Sequence, residues 1–410
     1  MRVPAPWLAN FESAPPYLNT RSMYRLALII AFAPLVIGLY AYVGYPAILW
    51  ILSKVRTRQI APPASNEWPS VTITVPVYNA AATLRPTLDR LLALDYPSNR
   101  LQLLVISDGS TDSTEDIARQ YADRGVELLR MPERRGKTIA ENAALSVARG
   151  DLIVNVDATI LVPPGSLKPL VRVFDDPTIG VASGRDVSTG DTEREGTGAE
   201  SGYVGYEMWV RDLETKLGSI VGASGCFYAI RRHIHAEPLP ADLSWDFASV
   251  LVARLKGLRS VSVREAICVV PRTSRLGTEL KRKVRTMARG IRTLFHHGEL
   301  MNPLKYGAFS LMLVSHKLLR WLPYLLAPVS ALAAAILLGL TFGWVAVLVA
   351  SIAAMVIVAV SRSVPSLKAL AAPAGFVAAA CTAGLLAWWD VIRQAPMATW
   401  DPTPRPKPQS

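Results

Sequence analysis

The chain has 410 residues, 51% of them hydrophobic and only 19% charged, with 30 Pro, 26 Gly and a formal net charge of +12. Soluble globular chains carry about a quarter charged residues, so this composition argues against both disorder and an ordinary water-soluble enzyme. The positive excess suits an anionic membrane surface, an anionic substrate or nucleic acid, and the placement of apolar and basic residues decides among them.

In chain order, an N-terminal segment (1–25) leads into a charge-free tract over 26–52. That tract exceeds the roughly 20 residues that cross a bilayer, and it is too long and too late for a cleaved leader. It reads as a retained transmembrane anchor. The linker at 53–68 carries Lys54, Arg56 and Arg58 and then a run rich in Pro and small residues, Ile60 to Asn66. Basic residues beside membrane ends mark the cytoplasmic side, which puts the following polar region in the cytoplasm of an inner, multi-pass membrane protein. No charge separates Arg320 from Arg362, which leaves room for spans at 321–342 and 343–361. A further span at 369–389 ends on Trp388-Trp389, an aromatic pair suited to the lipid–water boundary. The tail, 390–410, is Pro-rich and expected to lack structure.

The polar region over 69–278 alternates short apolar runs with helical patterns. Val71 to Val75 is a β-branched run closed by Pro76, and Leu84, Leu88, Leu91 and Leu92 follow at helical spacing. Leu101 to Ile106 forms a second run. Asp112 with Glu115 reads as a capping box opening a helix. Val126 to Leu129 is a third run, Lys137 to Arg149 a helical pattern closed by Gly150, and Leu152 to Val156 a fourth run ending at Asp157. This alternation predicts an α/β fold, a parallel sheet with helices on both faces. Ligands of such sheets bind beyond the carboxyl ends of the strands, where Tyr78-Asn79, Ser107 to Ser110 and Asp157 to Thr159 lie. Cys226, Cys268 and Cys381 are far apart, so neither a disulfide framework nor a thiolate zinc site is expected. His233, His235, His296 and His297 lack a third ligand at suitable spacing.

Thr74 to Asn79, Ser107 to Asp112, Arg135-Gly136-Lys137 and Val156 to Thr159 occur in an order and spacing that resemble glycosyltransferase family 2, in its membrane-bound polysaccharide-synthase-like subgroup. The resemblance runs on through Gly222 to Arg232 and Trp245-Asp246-Phe247 to His316 to Trp321, and so covers roughly 69–321. It implies a GT-A fold, a Rossmann-like, mostly parallel sheet joined to transmembrane helices. It also implies a UDP-sugar donor, a lipid or polysaccharide acceptor, a Mg²⁺ or Mn²⁺ ion, and inversion at the anomeric carbon.

The resemblance gives roles to particular residues. Asp108 would hold the base or ribose, with Pro76, Tyr78 and Asn79 lining the same pocket, and Lys137 would receive an anion at a helix start. Asp157 would bind metal and nucleotide, with Thr159 where the family usually has a second Asp. Asp246 would be the general base, with Asp242 as the alternative. Arg289 would reach the diphosphate, although the surrounding Thr286-Met287-Ala288-Arg289-Gly290 lacks the Gln and Trp of the family's arginine motif. Plainer readings compete: an Asx turn at Asp108, a solvated Lys137, an Asp157 satisfied by backbone amides and a helix N-cap at Asp246.

The stretch over 279–320 is read as basic interfacial helices against anionic lipid, since Lys281, Arg285, Arg289 and Arg292 share one helical face. Nucleic acid is not expected, because no basic surface interleaves aromatics. Ala80, Thr159 and Trp245 stand where the family usually has carboxylates. Their replacement is what a catalytically silent membrane subunit, binding nucleotide or scaffolding an export complex, would show.

Overall fold

A computed structural model describes residues 20–62, 67–189, 197–271, 276–363 and 365–396. Most of the N-terminal segment, residues 63–66 of the linker and residues 397–410 of the Pro-rich tail lie outside these. The described strands are β1 (Val71–Val77), β2 (Leu101–Ser107), β3 (Val126–Arg130), β4 (Leu152–Val156), β5 (Ile179–Thr189), β6 (Phe227–Arg231) and β7 (Arg259–Pro271). They form one sheet in the order β3-β2-β1-β4-β6-β5-β7. The four strands expected from the sequence form its parallel half, and β5 with β7 is parallel too. The exception is β6, antiparallel to both β4 and β5, so the sheet is mixed.

Every residue of β1 is buried, as expected of a central strand covered on both faces. Val71, Ile73, Val75 and Val77 enter the main apolar core with Leu84, Leu88 and Leu91. On the other face Thr72 and Thr74 are satisfied by the side chains of Gln102 and Asn155. Pairing of β1 with β4 stops at Thr74 opposite Asn155, two residues before Pro76, which has no N–H for a ladder. The carboxyl end of the sheet therefore opens between β1 and β4.

The helices are α1 (Thr20–Leu39), α2 (Tyr45–Val55), α3 (Ala81–Leu92), α4 (Thr114–Arg119), α5 (Lys137–Ala144), α6 (Leu167–Arg172), α7 (Thr197–Leu217), α8 (Trp245–Leu255), α9 (Leu276–His296), α10 (Pro303–Tyr306), α11 (Ala308–Leu313), α12 (Leu319–Phe342), α13 (Trp344–Ser363) and α14 (Pro365–Ile392). Two local expectations change. Helix α5 ends at Ala144 and the chain turns on to Gly150, where a Cβ would lie 2.4 Å from the Thr72 nitrogen; Gly150 is there for a close backbone approach. Asp112 and Glu115 do not form a capping box. The helix starts later, Asp112 Oδ1 accepts from the Thr114 N–H at 3.0 Å, and Glu115 accepts from Ser107 Oγ and pairs with Arg130.

Among the described residues, two helical stretches are long and apolar enough to cross a membrane, Ser22–Val55 and Ala308–Phe342, and shorter apolar stretches cover Trp344–Ile357 and Ala378–Ile392. A π-helical turn interrupts each long stretch, at Tyr40–Gly44 and Val314–Leu318, and the two turns meet where Tyr40 Oη and Ser315 Oγ are 3.0 Å apart. The second stretch starts at Ala308, within the segment read as interfacial. Helix α9 is not merely laid on a surface: Ala288, Ile291 and Leu294 are fully buried. Trp388, expected at the lipid boundary, is buried against Ala288 and Ile291 and donates its indole N–H to the Trp321 carbonyl at 2.9 Å.

Leu88 is fully buried between α3 and the sheet. Leu88→Ala is expected to destabilise the domain by about 2–5 kcal/mol, read as a lower thermal midpoint of the detergent-solubilised chain.

Candidate active site

The open end of the sheet is organised around the start of α5. Asp108 follows β2 and is buried; its Oδ1 accepts the Arg135 N–H at 2.7 Å and its Oδ2 the Gly136 N–H at 2.8 Å. The carboxylate is thus engaged by backbone donors, one at each oxygen, and clamps the loop leading into α5. Gly109, at φ +67°, lets that loop approach: a Cβ there would sit 2.7 Å from the Arg134 nitrogen. Beside it the Arg134 guanidinium lies 3.8 Å from the centre of the Tyr78 ring. Asn79, at φ 47°, accepts the Thr111 N–H at 2.8 Å and so ties the loop after β1 to that after β2.

Lys137 is the first residue of α5. Its ammonium donates to Asp157 Oδ1 at 2.6 Å and to the Gly225 carbonyl at 3.3 Å. Burial pushes the Lys137 pKa down, but the charges of Asp157 and Glu141 more than offset this and hold it above the ordinary lysine value. The solvated-lysine reading is therefore wrong for this position. Asp157 keeps 29% of its side chain exposed.

Asp246 lies in the first turn of α8, with Ser244 at the N-cap position, so the plain N-cap reading does not describe it. Its Oδ1 accepts from Ser244 Oγ at 2.6 Å. Its Oδ2 would be 3.4 Å from a Cβ at Gly225, the residue whose carbonyl Lys137 holds. Asp157, Lys137 and Asp246 therefore border one another across Gly225. The neighbouring Trp245 is buried and donates to Asn142 Oδ1 at 2.9 Å, bolting α8 to α5. Asp242, the alternative base, is turned to Arg292 at 3.2 Å.

Arg289 is turned inward rather than to lipid. One nitrogen donates to Thr138 Oγ1 and to the carbonyls of Ala241 at 2.9 Å and Leu243 at 2.7 Å. It fastens the loop before α8 to the first turn of α5. Burial lowers its pKa, while Glu141 and Asp246 pull the other way.

The sequence reading missed Glu141. It lies one turn after Lys137 on the same helix face, the signal by which it was findable. Its side chain is buried, both carboxyl oxygens lack a hydrogen bond, and Lys137 Nζ is 3.7 Å away. Burial pushes its pKa up to about 7, with Lys137 opposing and Asp157 and Asp246 reinforcing the shift. The buried Tyr228 hydroxyl also lacks a partner and feels the charges of Glu141, Asp246 and Asp157.

His235 shares a hydrogen bond with Ser249 Oγ at 2.8 Å and burial drives its pKa down to about 3, while His296 and His297 stack edge to face. Among the described residues no three His, Cys, Asp or Glu side chains gather as metal ligands. A cation at Asp157 would have one protein carboxylate, the Thr159 hydroxyl two positions on, and otherwise water or substrate oxygens. A hard divalent ion that keeps several waters and takes phosphate oxygens tolerates such a set.

Residues 72–237 match the model described as Glycosyl transferase family 2. Similar proteins include an N-acetylglucosaminyltransferase of Mesorhizobium japonicum, 26% identical over 244 residues, covering 55% of this chain and 56% of the relative. A beta-monoglucosyldiacylglycerol synthase of Synechocystis sp. is 26% identical over 225 residues, covering 49% and 47%. The chain spans about half the length of these relatives. Among solved structures, the mannosyltransferase PcManGT of Pyrobaculum calidifontis, in complex with GDP-Man and Mn²⁺, superposes with a TM-score of 0.66 at 21% identity, covering 91% of this chain and all of that one. The fold is GT-A.

Glu141 carries a testable consequence. Its carboxyl has a folded pKa above its unfolded value, so the native state binds the extra proton and stability falls as pH rises between about 4.5 and about 7. Glu141→Gln is expected to be more stable than the parent at pH 8, by about 2–3 kcal/mol, and equal to it below pH 4.5. Thermal midpoints measured across that range check the sign.

Proposed function

We propose that this chain is an inner-membrane glycosyltransferase with its sheet domain in the cytoplasm. It transfers a sugar from a nucleoside-diphosphate sugar, by our reading a UDP-sugar, to a lipid or polysaccharide acceptor with inversion. The observation that carries this is the convergence of Lys137, Asp157 and Asp246 on Gly225 at the open end of the sheet, inside a family 2 domain. The two long apolar stretches support the membrane location, and the name of the Synechocystis relative supports a lipid acceptor.

The roles follow from position. Tyr78 with its stacked Arg134 provides a flat cationic platform for the nucleotide base, and Asp108, Asn79 and Pro76 act by fixing the loops that present it. Lys137 neutralises the departing diphosphate, in a site where water is largely excluded and such charge counts for more. Asp246 takes the proton of the acceptor hydroxyl as that oxygen attacks the anomeric carbon and the bond to the diphosphate breaks. A single displacement of this kind inverts the carbon. Asp157, with Thr159, would hold a Mg²⁺ or Mn²⁺ ion, whose chemistry when bound is to offset diphosphate charge. Its need is arithmetic: the carboxylates of Asp157 and Asp246 already balance Lys137 and Arg289, so an incoming diphosphate calls for further positive charge. Arg289 acts at one remove, through the loop carrying Asp246.

Asp246→Asn is expected to lower kcat by about 10²–10⁴ while UDP still binds, measured as UDP release from a panel of UDP-sugars by the purified chain. Unchanged turnover would refute the base. A parent chain that binds UDP and never releases it from any nucleotide sugar would instead identify a silent subunit. Asp157→Ala is expected to abolish the part of UDP binding that depends on Mn²⁺, seen by calorimetry with and without the ion; a variant binding normally with Mn²⁺ removes Asp157 from that role.

A further inference from the structure

Below the carboxylate cluster, where the sheet domain meets the apolar helices, lies a second group of charges that the transfer chemistry does not use. His316, in the π-helical turn before α12, places Nδ1 2.5 Å from Glu214 and Nε2 2.9 Å from Glu207, both on α7. Glu207 also receives Arg320 at 2.7 Å and faces Arg211 at 3.6 Å; Glu214 receives the Tyr45 hydroxyl at 2.6 Å. Two carboxylates thus meet His316 and two guanidinium groups before the next residue, Lys317, adds a further cation.

Lys317 differs from the other three. Among the described residues it makes no hydrogen bond and no ion pair; its ammonium stands 5.5 Å from the Phe247 ring and against the bare α-carbon of Gly222, where a Cβ would lie 2.8 Å from it. A half-buried cation with no acceptor, in a group whose Arg and Lys cations outnumber its two carboxylates, is costly unless an anion joins it. The position is informative. Gly222 and Gly225 are three residues apart, so at most about 11 Å separate them, and Gly225 abuts Asp246. Arg211 donates to the carbonyl of Ala223 in the same loop, which keeps a second cation beside it.

We propose that Lys317, with Arg211 beside the Gly222–Gly225 loop, forms a subsite for a phosphate group carried by the acceptor, whose reacting hydroxyl lies at Asp246 across that loop. The proposal rests on the transferase reading and adds the acceptor's chemistry. Because Lys317 lies within the apolar Ala308–Phe342 stretch, a phosphate borne on a lipid chain reaches it from the side, whereas a soluble phosphate ester reaches it from the sheet domain.

The test is calorimetric titration of the full chain in a phosphate-free maltoside detergent with dodecyl phosphate, inorganic phosphate and UDP. Dodecyl phosphate is expected to bind the parent chain, and Lys317→Met to weaken it about tenfold or more, with UDP affinity unchanged. Gly222→Ala keeps the charge but displaces the ammonium, and is expected to weaken dodecyl phosphate as well; Lys317→Arg retains binding. The thermal midpoint in the same detergent reports that each variant is folded. Inorganic phosphate matching dodecyl phosphate identifies a soluble ester, and a preference for the alkyl compound identifies a lipid. Equal dodecyl phosphate affinity in the parent, Lys317→Met and Gly222→Ala overturns the subsite, as does a parallel fall in UDP affinity, which would move Lys317 to the donor. A chain that binds dodecyl phosphate through Lys317 yet transfers no sugar sinks the transferase reading alone.

Discussion

One contact organises the open end of the sheet: the Lys137 ammonium shared between the Asp157 carboxylate and the Gly225 carbonyl. A carboxylate at a strand end and a cation at a helix start are common separately. Joined in a site of low dielectric, they fix three elements at once, because neither charge can move without exposing the other unpaired. The contact holds α5 against β4 and draws in the loop before β6. That loop in turn brings Gly225 against Asp246, so Asp246 is positioned by a charge pair of which it is not a member.

The polar groups around this contact fall into two kinds. Those that shape the backbone are engaged: Asp108 by two amides, and Asn142 by the Trp245 indole. Those facing the centre are left short, as with both oxygens of Glu141 and the Tyr228 hydroxyl. Such a division is expected where a scaffold is rigid and its interior is to receive a polar guest. Burial of these unpartnered oxygens pushes the Glu141 pKa up to about 7.

Much of this was legible in the sequence. The β-branched run at 71–75 and the apolar runs at 101–106, 126–129 and 152–156 are strands, and their polar carboxyl ends meet at one place, because hydrophobic period and turn residues are local properties. Three things were not legible. β6 runs antiparallel, which depends on the path of the chain through α7 and not on the composition of Phe227–Arg231. Arg289 belongs to a basic helical face that reads as lipid-facing, yet tertiary packing turned it onto Ala241 and Leu243. Asp108 has the residue type of a ligand-binding Asp, and only the folded loop reveals that two amides already occupy it. In each case the deciding partner lies 27 or more residues away, beyond the reach of any window of local pattern.

The same long-range logic joins the two halves of the molecule. Helix α7 presents Glu207 and Glu214 to the apolar helices, and His316 and Arg320 answer from the start of the Ala308–Phe342 stretch. Apolar contacts alone would let such helices slide or rotate against the domain, since packing of aliphatic surfaces is weakly directional. A buried imidazole gripped at both nitrogens permits one register and one rotation. The π-helical turn at Val314–Leu318 makes this grip possible, because the extra residue it accommodates reorients His316 and Lys317 relative to the helix that follows. The depth of the domain against its apolar helices, and hence the reach from Asp246 to anything held among them, is therefore set by hydrogen-bond geometry, and the Gly222–Gly225 loop is the short bridge across which that geometry is transmitted.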